Sequence, residues 1–291
     1  MRRSIHEIIL GTFNIRDELQ RLDTLFYVKK TVPISINTGY CMVTMFSFVN
    51  DCFNMWPFTG TCIDLAEYVK KLNADNDYYR LDFDFSSIDF ENEELLEIAF
   101  GNVEFYYNMH KFIKYIMDSN IEFCSHEGDF DLGLFRKMGS VLDIVIDHIN
   151  AKAVELEPHK YIIIPNNEEV IAAAECVENL ETSKIILKYN HFKTKGDLEA
   201  KKSILRHLFI DIEKKGARSV PMDDFCFILN EADIRHNNSG KKGKSITTGM
   251  TEDQIEEVYD VAYRLYLMAK LDKEYKDIIK SQVTEYKNRL L

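Results

Sequence analysis

Glycine and proline are scarce in this chain of 291 residues, which holds 12 Gly and 5 Pro. Loop-rich β proteins need both residues at their many turns, so the scarcity argues against such a fold and favours long helices. No stretch approaches the roughly 18 consecutive apolar residues that a membrane-spanning helix needs. The segment after Arg2 and Arg3 also lacks an apolar run long enough for a signal peptide. We therefore expect a cytoplasmic protein with no membrane partner.

Closely spaced cysteine pairs are missing as well. None of the six Cys stands in C-x-x-C spacing, which argues against a structural zinc site and fits reduced thiols in a core. Asp82, Asp84 and Asp89 carry hard oxygen ligands on a stretch with strand-like alternation. Their spacing matches no metal-binding loop, so we favour a solvated strand face or an extended acidic loop over a metal site. We predict no metal and no other cofactor.

Positive charge is in short supply, since the formal net charge is -12. This sign works against bulk affinity for nucleic acid but leaves room for a local basic patch. The acidic residues concentrate between Asp75 and Glu97. Apolar residues make up 46% of the chain, with 19 Phe and 15 Tyr, so a large core is available and disorder is disfavoured.

The hydrophobic periodicity predicts a mainly α protein with a few short strands. At about 100–200 residues per domain, the length favours two domains. The charged segment Glu155–Lys160, which contains Pro158, is the predicted boundary, and the β-branched run Tyr161–Pro165 is a predicted strand. We therefore expect an N-terminal helical domain over residues 1–157 and a C-terminal helical bundle over residues 158–291. Earlier helices are predicted at 5–30, 40–58, 103–117 and 135–155.

The stretch from Phe225 to Lys270 has the pattern of a helix, a polar turn and a second helix. Pro221 suits the first turn of the first helix, where its missing N–H costs nothing. Thr251 and Gln254 can form a capping box at the start of the second helix. The predicted buried stripes are Phe225, Ile228, Leu229 and Ala232 in the first helix, and Ile255, Val258, Ala262, Leu265 and Ala269 in the second.

The junction between these helices combines Arg, His and Asn side chains. Its residues, Asn230, Ile234, Arg235, His236, Asn237 and Asn238, resemble the closing motif of bacterial abortive-infection family proteins. Upstream, Tyr189–Phe192 and Lys201–Leu205 also fit the C-terminal domain of that family. This domain is similar to the HEPN superfamily of helical bundles, which includes metal-independent ribonucleases. The resemblance covers about residues 160–275 and implies a HEPN-like fold for the C-terminal domain.

The resemblance also implies roles for the junction residues. Arg235 would bind the scissile phosphate through its two-donor fork. His236 would activate a ribose 2′-hydroxyl or protonate the leaving group, because its pKa lies near the working pH. Further RNA or phosphate contacts would come from Asn237, Asn238, Lys241, Lys242 and Lys244. Members of the superfamily usually join two motifs across a dimer interface, so we expect a homodimer.

The expected homodimer has a second motivation in the sequence. Tyr259, Tyr263 and Tyr266 fall outside the predicted buried stripe of the second helix. The stripe and these tyrosines together are more apolar and aromatic residues than one face of the helix can hold. These tyrosines are therefore predicted to contact the second subunit through the C-terminal bundle.

Three interpretations of the junction remain open. Arg235 is followed directly by His236, and no other His occurs up to Met250, whereas the superfamily signature separates the two. In the first interpretation the junction cleaves RNA without metal, and in the second it only binds RNA or a nucleotide. In the third, Arg235 pairs with a nearby carboxylate and the Asn residues cap the helix. The first two interpretations predict a protein of anti-phage defence (abortive infection) or of toxin type. Its partners would then include phage or defence-system proteins. The alternative is a non-catalytic partner-binding or regulatory module that dimerises through the bundle.

A second basic stretch interleaves cations with two aromatic residues. It contains Lys188, Tyr189, His191, Phe192, Lys193 and Lys195. Aromatic rings beside phosphate-binding lysines are one mode of nucleic-acid binding. A solvated helix end with two core aromatics has the same pattern, and we favour it.

Overall fold

The structure, a computed structural model, confirms the mainly α fold. It describes residues 15–27, 30–34, 39–51, 53, 65, 67, 93–118, 132–215, 219–235, 245–274 and 276. These residues form nine α-helices and two small antiparallel sheets of two strands each. Contacts divide the chain into an N-terminal unit, Met1–Pro165, and a C-terminal unit, Asn166–Leu291. The sequence placed the boundary earlier, between residues 157 and 158.

The N-terminal unit contains four helices and both strand pairs in its described part. They are α1 (Ile15–Tyr27), β1 (Lys30–Ile34), β2 (Gly39–Val43), α2 (Met45–Asp51), α3 (Glu93–Asp118), α4 (Leu132–His148), β3 (Ala151–Glu157) and β4 (Lys160–Pro165). Two predicted helices are therefore wrong in part, because residues 40–43 and 151–155 are strands. The second error has a local cause: Asn150 adopts a left-handed φ of 49°, which stops α4 before β3.

The core of the N-terminal unit forms around α1. Leu19, Leu22, Leu25 and Phe26, which recur at helical spacing, are all buried. The Phe26 ring meets the rings of Phe105 and Tyr106 on α3 edge-on, with ring centres 6.1 and 5.5 Å apart. Tyr106 also donates its hydroxyl to Asp23 of α1 at 2.8 Å, so the buried phenol is satisfied.

Two side chains of α3 bind the edge of β4 in the way a neighbouring strand would. Asn108 accepts from the Tyr161 N–H at 2.9 Å and donates to the Tyr161 carbonyl at 2.8 Å. Glu104, one turn away, accepts from the Ile163 N–H at 2.9 Å. Buried backbone groups need such partners. These bonds attach β4 to the N-terminal unit, which explains why the division of the chain follows Pro165.

His110 of α3 is held in an apolar contact with α4. Its ring stacks on Phe135 with centres 4.1 Å apart, and its Nε2 has no hydrogen-bond partner among the described residues. Burial, helped by the charge of Lys111, lowers the pKa of His110 from 6.5 to about 4. The ring is therefore neutral at pH 7. Gly139 of α4 lies directly against it: an added Cβ would stand 2.9 Å from Nε2.

Replacing Gly139 with Ala should destabilise the N-terminal unit. In an open helix this change stabilises by up to about 1 kcal/mol. Here the Cβ displaces a stacked ring, and we expect a net cost of about 1–3 kcal/mol. Urea unfolding followed by circular dichroism measures the effect.

The control for this prediction is Ser140→Ala, at the next, exposed position of α4. In the double variant Gly139→Ala, His110→Ala the added Cβ no longer meets an imidazole ring, because the alanine at position 110 is smaller. The steric cost of Gly139→Ala should therefore disappear in this background. A Gly139→Ala protein that unfolds at higher urea than the natural chain would show that His110 moves away freely.

The C-terminal unit is entirely helical in its described part. Its helices are α5 (Glu168–Glu175), α6 (Leu180–Tyr189), α7 (Leu198–Lys215), α8 (Val220–Glu231) and α9 (Glu252–Glu274), with a single 3-10 turn at Phe192–Thr194. Asn167 and Asn179 cap α5 and α6 by accepting from backbone N–H groups of the first turn. The predicted capping box is confirmed, because Thr251 and Gln254 bond reciprocally at the start of α9.

The buried face of α9 is rotated from the predicted one. Tyr259, Tyr263 and Tyr266 are 5%, 3% and 0% exposed and pack within their own unit, so they cannot form the expected dimer contact. Each buried ring has polar neighbours on other helices: Tyr263 donates to the Ile186 carbonyl at 2.7 Å and Tyr266 to Asp211 at 3.3 Å. The predicted stripe holds only in part, with Ala262 and Ala269 buried.

Candidate functional site

The end of α8 carries the predicted site, and its backbone makes a sharp stop. Asp233 adopts a left-handed φ of 57°, and the N–H groups of Ile234 and Arg235 both donate to the Leu229 carbonyl at 3.1 Å. The bond from Ile234 is the long-range closure of a Schellman motif. The helix thus ends at Glu231, before the Asn residues that the sequence favoured as its cap, and Arg235 lies beyond it on a fixed turn.

The chain returns to the same helix end after the lysine-rich segment. Ile246 donates its N–H to the Glu231 carbonyl at 2.9 Å, and the Ser245 hydroxyl donates to the same oxygen at 3.0 Å. These bonds satisfy one of the last carbonyls of α8, which have no partner inside the helix. The described residues on both sides of the lysine-rich segment, Arg235 and Ser245, therefore bond to the last turns of α8.

The Arg235 side chain is held against α7 and α8. Its guanidinium lies over the Phe209 ring, with Cζ 4.4 Å from the ring centre. One Nη donates to the Asn230 side-chain oxygen at a long 3.4 Å. A guanidinium stacked by its face on a ring keeps its N–H donors in a plane around its edge, which suits the recognition of a phosphate or carboxylate.

Arg206 of α7 fixes the backbone that precedes Arg235. Its Nε donates to the Ile234 carbonyl at 2.8 Å, so the peptide between Ile234 and Arg235 is anchored to α7. Neither Arg206 nor Phe209 was among the site residues predicted from the sequence. The signal was their i, i+3 spacing, which places both side chains on one side of α7.

Further charged groups surround this turn. The Tyr259 hydroxyl of α9 is within electrostatic reach of Glu199 and Arg206 on α7 and of Asp233. Burial, then Glu199 and Asp233, raise the pKa of Tyr259 against the opposing effect of Arg206, so the phenol stays protonated. Asp233 Oδ1 is buried and has no hydrogen-bond partner among the described residues. Side chains from α7, α9 and the turn after α8 thus come together here.

Arg235 is the one residue of the predicted site that the structure describes. The other predicted members, His236, Asn237, Asn238, Lys241, Lys242 and Lys244, lie outside the described residues, as do Asp82, Asp84 and Asp89 of the acidic stretch. The contacts that hold the Arg235 side chain include those with Phe209 and Asn230. An ion pair with Asp233, Glu231 or a C-terminal carboxylate stays a prediction.

The second basic stretch is a core element at its aromatic positions. Tyr189 and Phe192 are buried, so neither ring can serve as a platform for bases. Tyr189 stacks on Tyr263 with ring centres 3.9 Å apart and donates to Asp260 at 2.8 Å. Lys201 joins this network through ion pairs of 2.7 Å to Glu256 and 2.6 Å to Asp260. Here the interpretation favoured from the sequence, core aromatics at a helix end, is confirmed.

The chain matches no protein-family model, no curated protein and no solved structure. In the described part of the chain, no helix combines the length and apolarity needed to cross a membrane.

Proposed function

We propose that the C-terminal unit binds RNA through its phosphates at Arg235, as part of an abortive-infection or toxin-type defence protein. Cleavage without metal, with His236 as the acid–base group, is the catalytic form of this proposal. The supporting observation is the stacked Arg235 guanidinium, held on its face by Phe209 and anchored through Ile234 by Arg206. Phosphate recognition gains from such a preorganised fork because little conformational freedom is lost on binding.

The distribution of charge agrees with an anion-binding role for this unit. Residues 166–291 contain 21 Lys and Arg against 22 Asp and Glu, so nearly all of the net charge of -12 belongs to residues 1–165. A unit with a net charge near zero does not repel a polyanion strongly, so binding depends on where its cations lie. The segment 236–244 adds three lysines to the sequence, and the described residues that flank it, Arg235 and Ser245, both bond to the end of α8.

The alternative is a non-catalytic module that binds a partner or regulates one. The direct sequence Arg235-His236 favours it, because the superfamily signature places its His a few positions later. A dimer contact through the three tyrosines of α9 is no longer available to this alternative, since all three are buried within the unit. A homodimer through another surface remains part of the proposal for either function.

The test compares variants at Arg235 and His236 in binding and cleavage of single-stranded RNA in EDTA. Arg235→Ala should abolish RNA binding while the melting curve stays unchanged. Arg235→Lys should recover binding only in part, because an ammonium cannot reproduce the planar fork. His236→Ala should lose cleavage and keep binding if His236 is the acid–base group. Arg264→Ala, which removes an exposed Arg of α9, is the matched control.

Each interpretation gives a different result in this experiment. If Arg235 only holds the turn together, Arg235→Ala lowers stability and RNA affinity follows stability alone. If the module is non-catalytic, RNA stays intact in EDTA with every variant. An Arg235→Ala protein that is stable and binds RNA as tightly as the Arg264→Ala control contradicts the proposed site.

A further inference from the structure

We propose that Lys202 binds a second phosphate beside the one at Arg235, so that the site takes a polynucleotide strand and not a mononucleotide. This inference rests on the proposed RNA-binding function and adds the class of ligand to it. It depends on where α7 places Lys202 and on what the neighbouring lysine does.

Lys202 lies one helical turn before Arg206 on the same side of α7. Residues four apart on a helix have Cβ atoms about 5–6 Å from each other. Arg206 contacts the Ile234 carbonyl at 2.8 Å, directly before Arg235. Phe209, under the Arg235 guanidinium, continues the same side of the helix. Lys202, Arg206 and Phe209 therefore form a row that leads to Arg235.

The surroundings of Tyr259 on α9 also place this side of α7 near the turn after α8. The Tyr259 hydroxyl is within electrostatic reach of both Glu199 and Arg206, which are two turns apart on α7, and also of Asp233. Lys202 stands between Glu199 and Arg206 along the helix. The part of α7 that carries Lys202 thus borders the turn after α8.

Lys201 and Lys202 have different roles although they are adjacent. Successive residues of a helix point about 100° apart. Lys201 turns into the unit, where its ammonium is buried between Glu256 and Asp260. Lys202 is half-buried, and its ammonium has no ion pair or hydrogen bond among the described residues. A cation with a packed stem and no carboxylate partner is available to an anion that binds at this surface.

The placement of the two cations suits a strand. Lys202 is one turn of α7 from Arg206, which contacts the carbonyl directly before Arg235, so both cations border one surface. Arg235 would hold one phosphate and Lys202 the next. A mononucleotide has one phosphate group at its sugar and can satisfy only one of the two positions.

The test measures the salt dependence of binding to a short single-stranded oligoribonucleotide. Each phosphate neutralised on a single strand contributes about 0.7 to the slope of log K against log salt. We expect Lys202→Ala to lower the slope by about 0.7 and the affinity at low salt by several-fold. Lys202→Arg should keep the slope. Lys273→Ala, which removes an exposed lysine at the far end of α9, should change neither.

The same variants are then tested with AMP, which should bind to the natural chain and to Lys202→Ala equally. An unchanged salt slope for Lys202→Ala, beside an Arg235→Ala protein that no longer binds, overturns this inference and leaves the proposed function standing. Equal weakening of AMP and oligonucleotide binding also overturns it, because Lys202 then belongs to a single phosphate site. Absence of RNA binding by the natural chain overturns the proposed function and the inference together.

Discussion

Replacing Lys270 with Met is expected to lower the free energy of unfolding of the C-terminal unit by about 3–5 kcal/mol. Lys270 and Asp211 form a 2.5 Å ion pair in which both side chains are less than one tenth exposed, at 9% and 8%. Tyr266 also donates to the same Asp211 oxygen at 3.3 Å. Without Lys270 the carboxylate stays buried with no ammonium beside it, and the cost of its desolvation is no longer offset.

The size of this effect depends on how deeply the ion pair is buried, and Lys276, which follows α9, provides an exposed pair for comparison. Lys276 pairs with Asp272 at 2.6 Å, but its side chain is 58% exposed. Lys276→Met should therefore cost less than about 1 kcal/mol. The double variant Lys270→Met, Asp211→Leu removes both buried charges and should recover most of the lost stability. Urea unfolding followed by circular dichroism measures all three, and equal losses for Lys270→Met and Lys276→Met contradict the argument.

This pair also explains why the buried face of α9 could not be predicted from the sequence. A pattern of apolar residues places Lys270 outside the core and leaves Tyr259, Tyr263 and Tyr266 to another surface. In the structure the lysine is buried because Asp211, far away in the sequence on α7, neutralises it. Tyr263 is buried for the same kind of reason, since the Ile186 carbonyl and Asn190 bond to its hydroxyl. Such partners are not visible within one helix.

Features that depend on residues close together in the sequence could be predicted more reliably than the buried face of α9. The capping box of Thr251 and Gln254 and the early Pro221 of α8 follow from neighbouring residues alone, and the structure confirms both. The pairing of β3 with β4 needed contacts at longer range. Tyr161–Pro165 was predicted as a strand, but its attachment to the N-terminal unit depends on Glu104 and Asn108 of α3.

At the candidate site, too, a residue marked by its neighbours in the sequence could be predicted, whereas its distant supporting residues could not. The composition of the junction singled out Arg235. The residues that hold it in place, Arg206 and Phe209, come from α7 and could be connected with it only by the fold. The turn itself is formed by Asp233 in a left-handed conformation, whereas one interpretation of the sequence placed the helix cap at the Asn residues further on.

The helix that precedes this turn gives the second large effect: Phe225→Ala is expected to cost about 3–5 kcal/mol of stability. Phe225 is fully buried and packs on Tyr266 of α9, with ring centres 5.6 Å apart. The cavity left by the ring cannot be filled without moving α8 against α9. Phe227, two residues later and 59% exposed, is a matched control in the same helix, and Phe227→Ala should change stability by about 0.5 kcal/mol at most.

Comparing Phe225→Ala with Arg235→Ala separates folding from binding at the site. The rotation of α8 that buries Phe225 also buries Leu229, whose carbonyl accepts from Ile234 and Arg235. Below its melting transition, Phe225→Ala should therefore keep the turn and bind RNA as the natural chain does, although it melts earlier. Arg235→Ala should do the opposite. If Phe225→Ala melts like the Phe227→Ala control, the orientation of α8 is wrong, and the placement of Arg235 against Phe209 is then wrong as well.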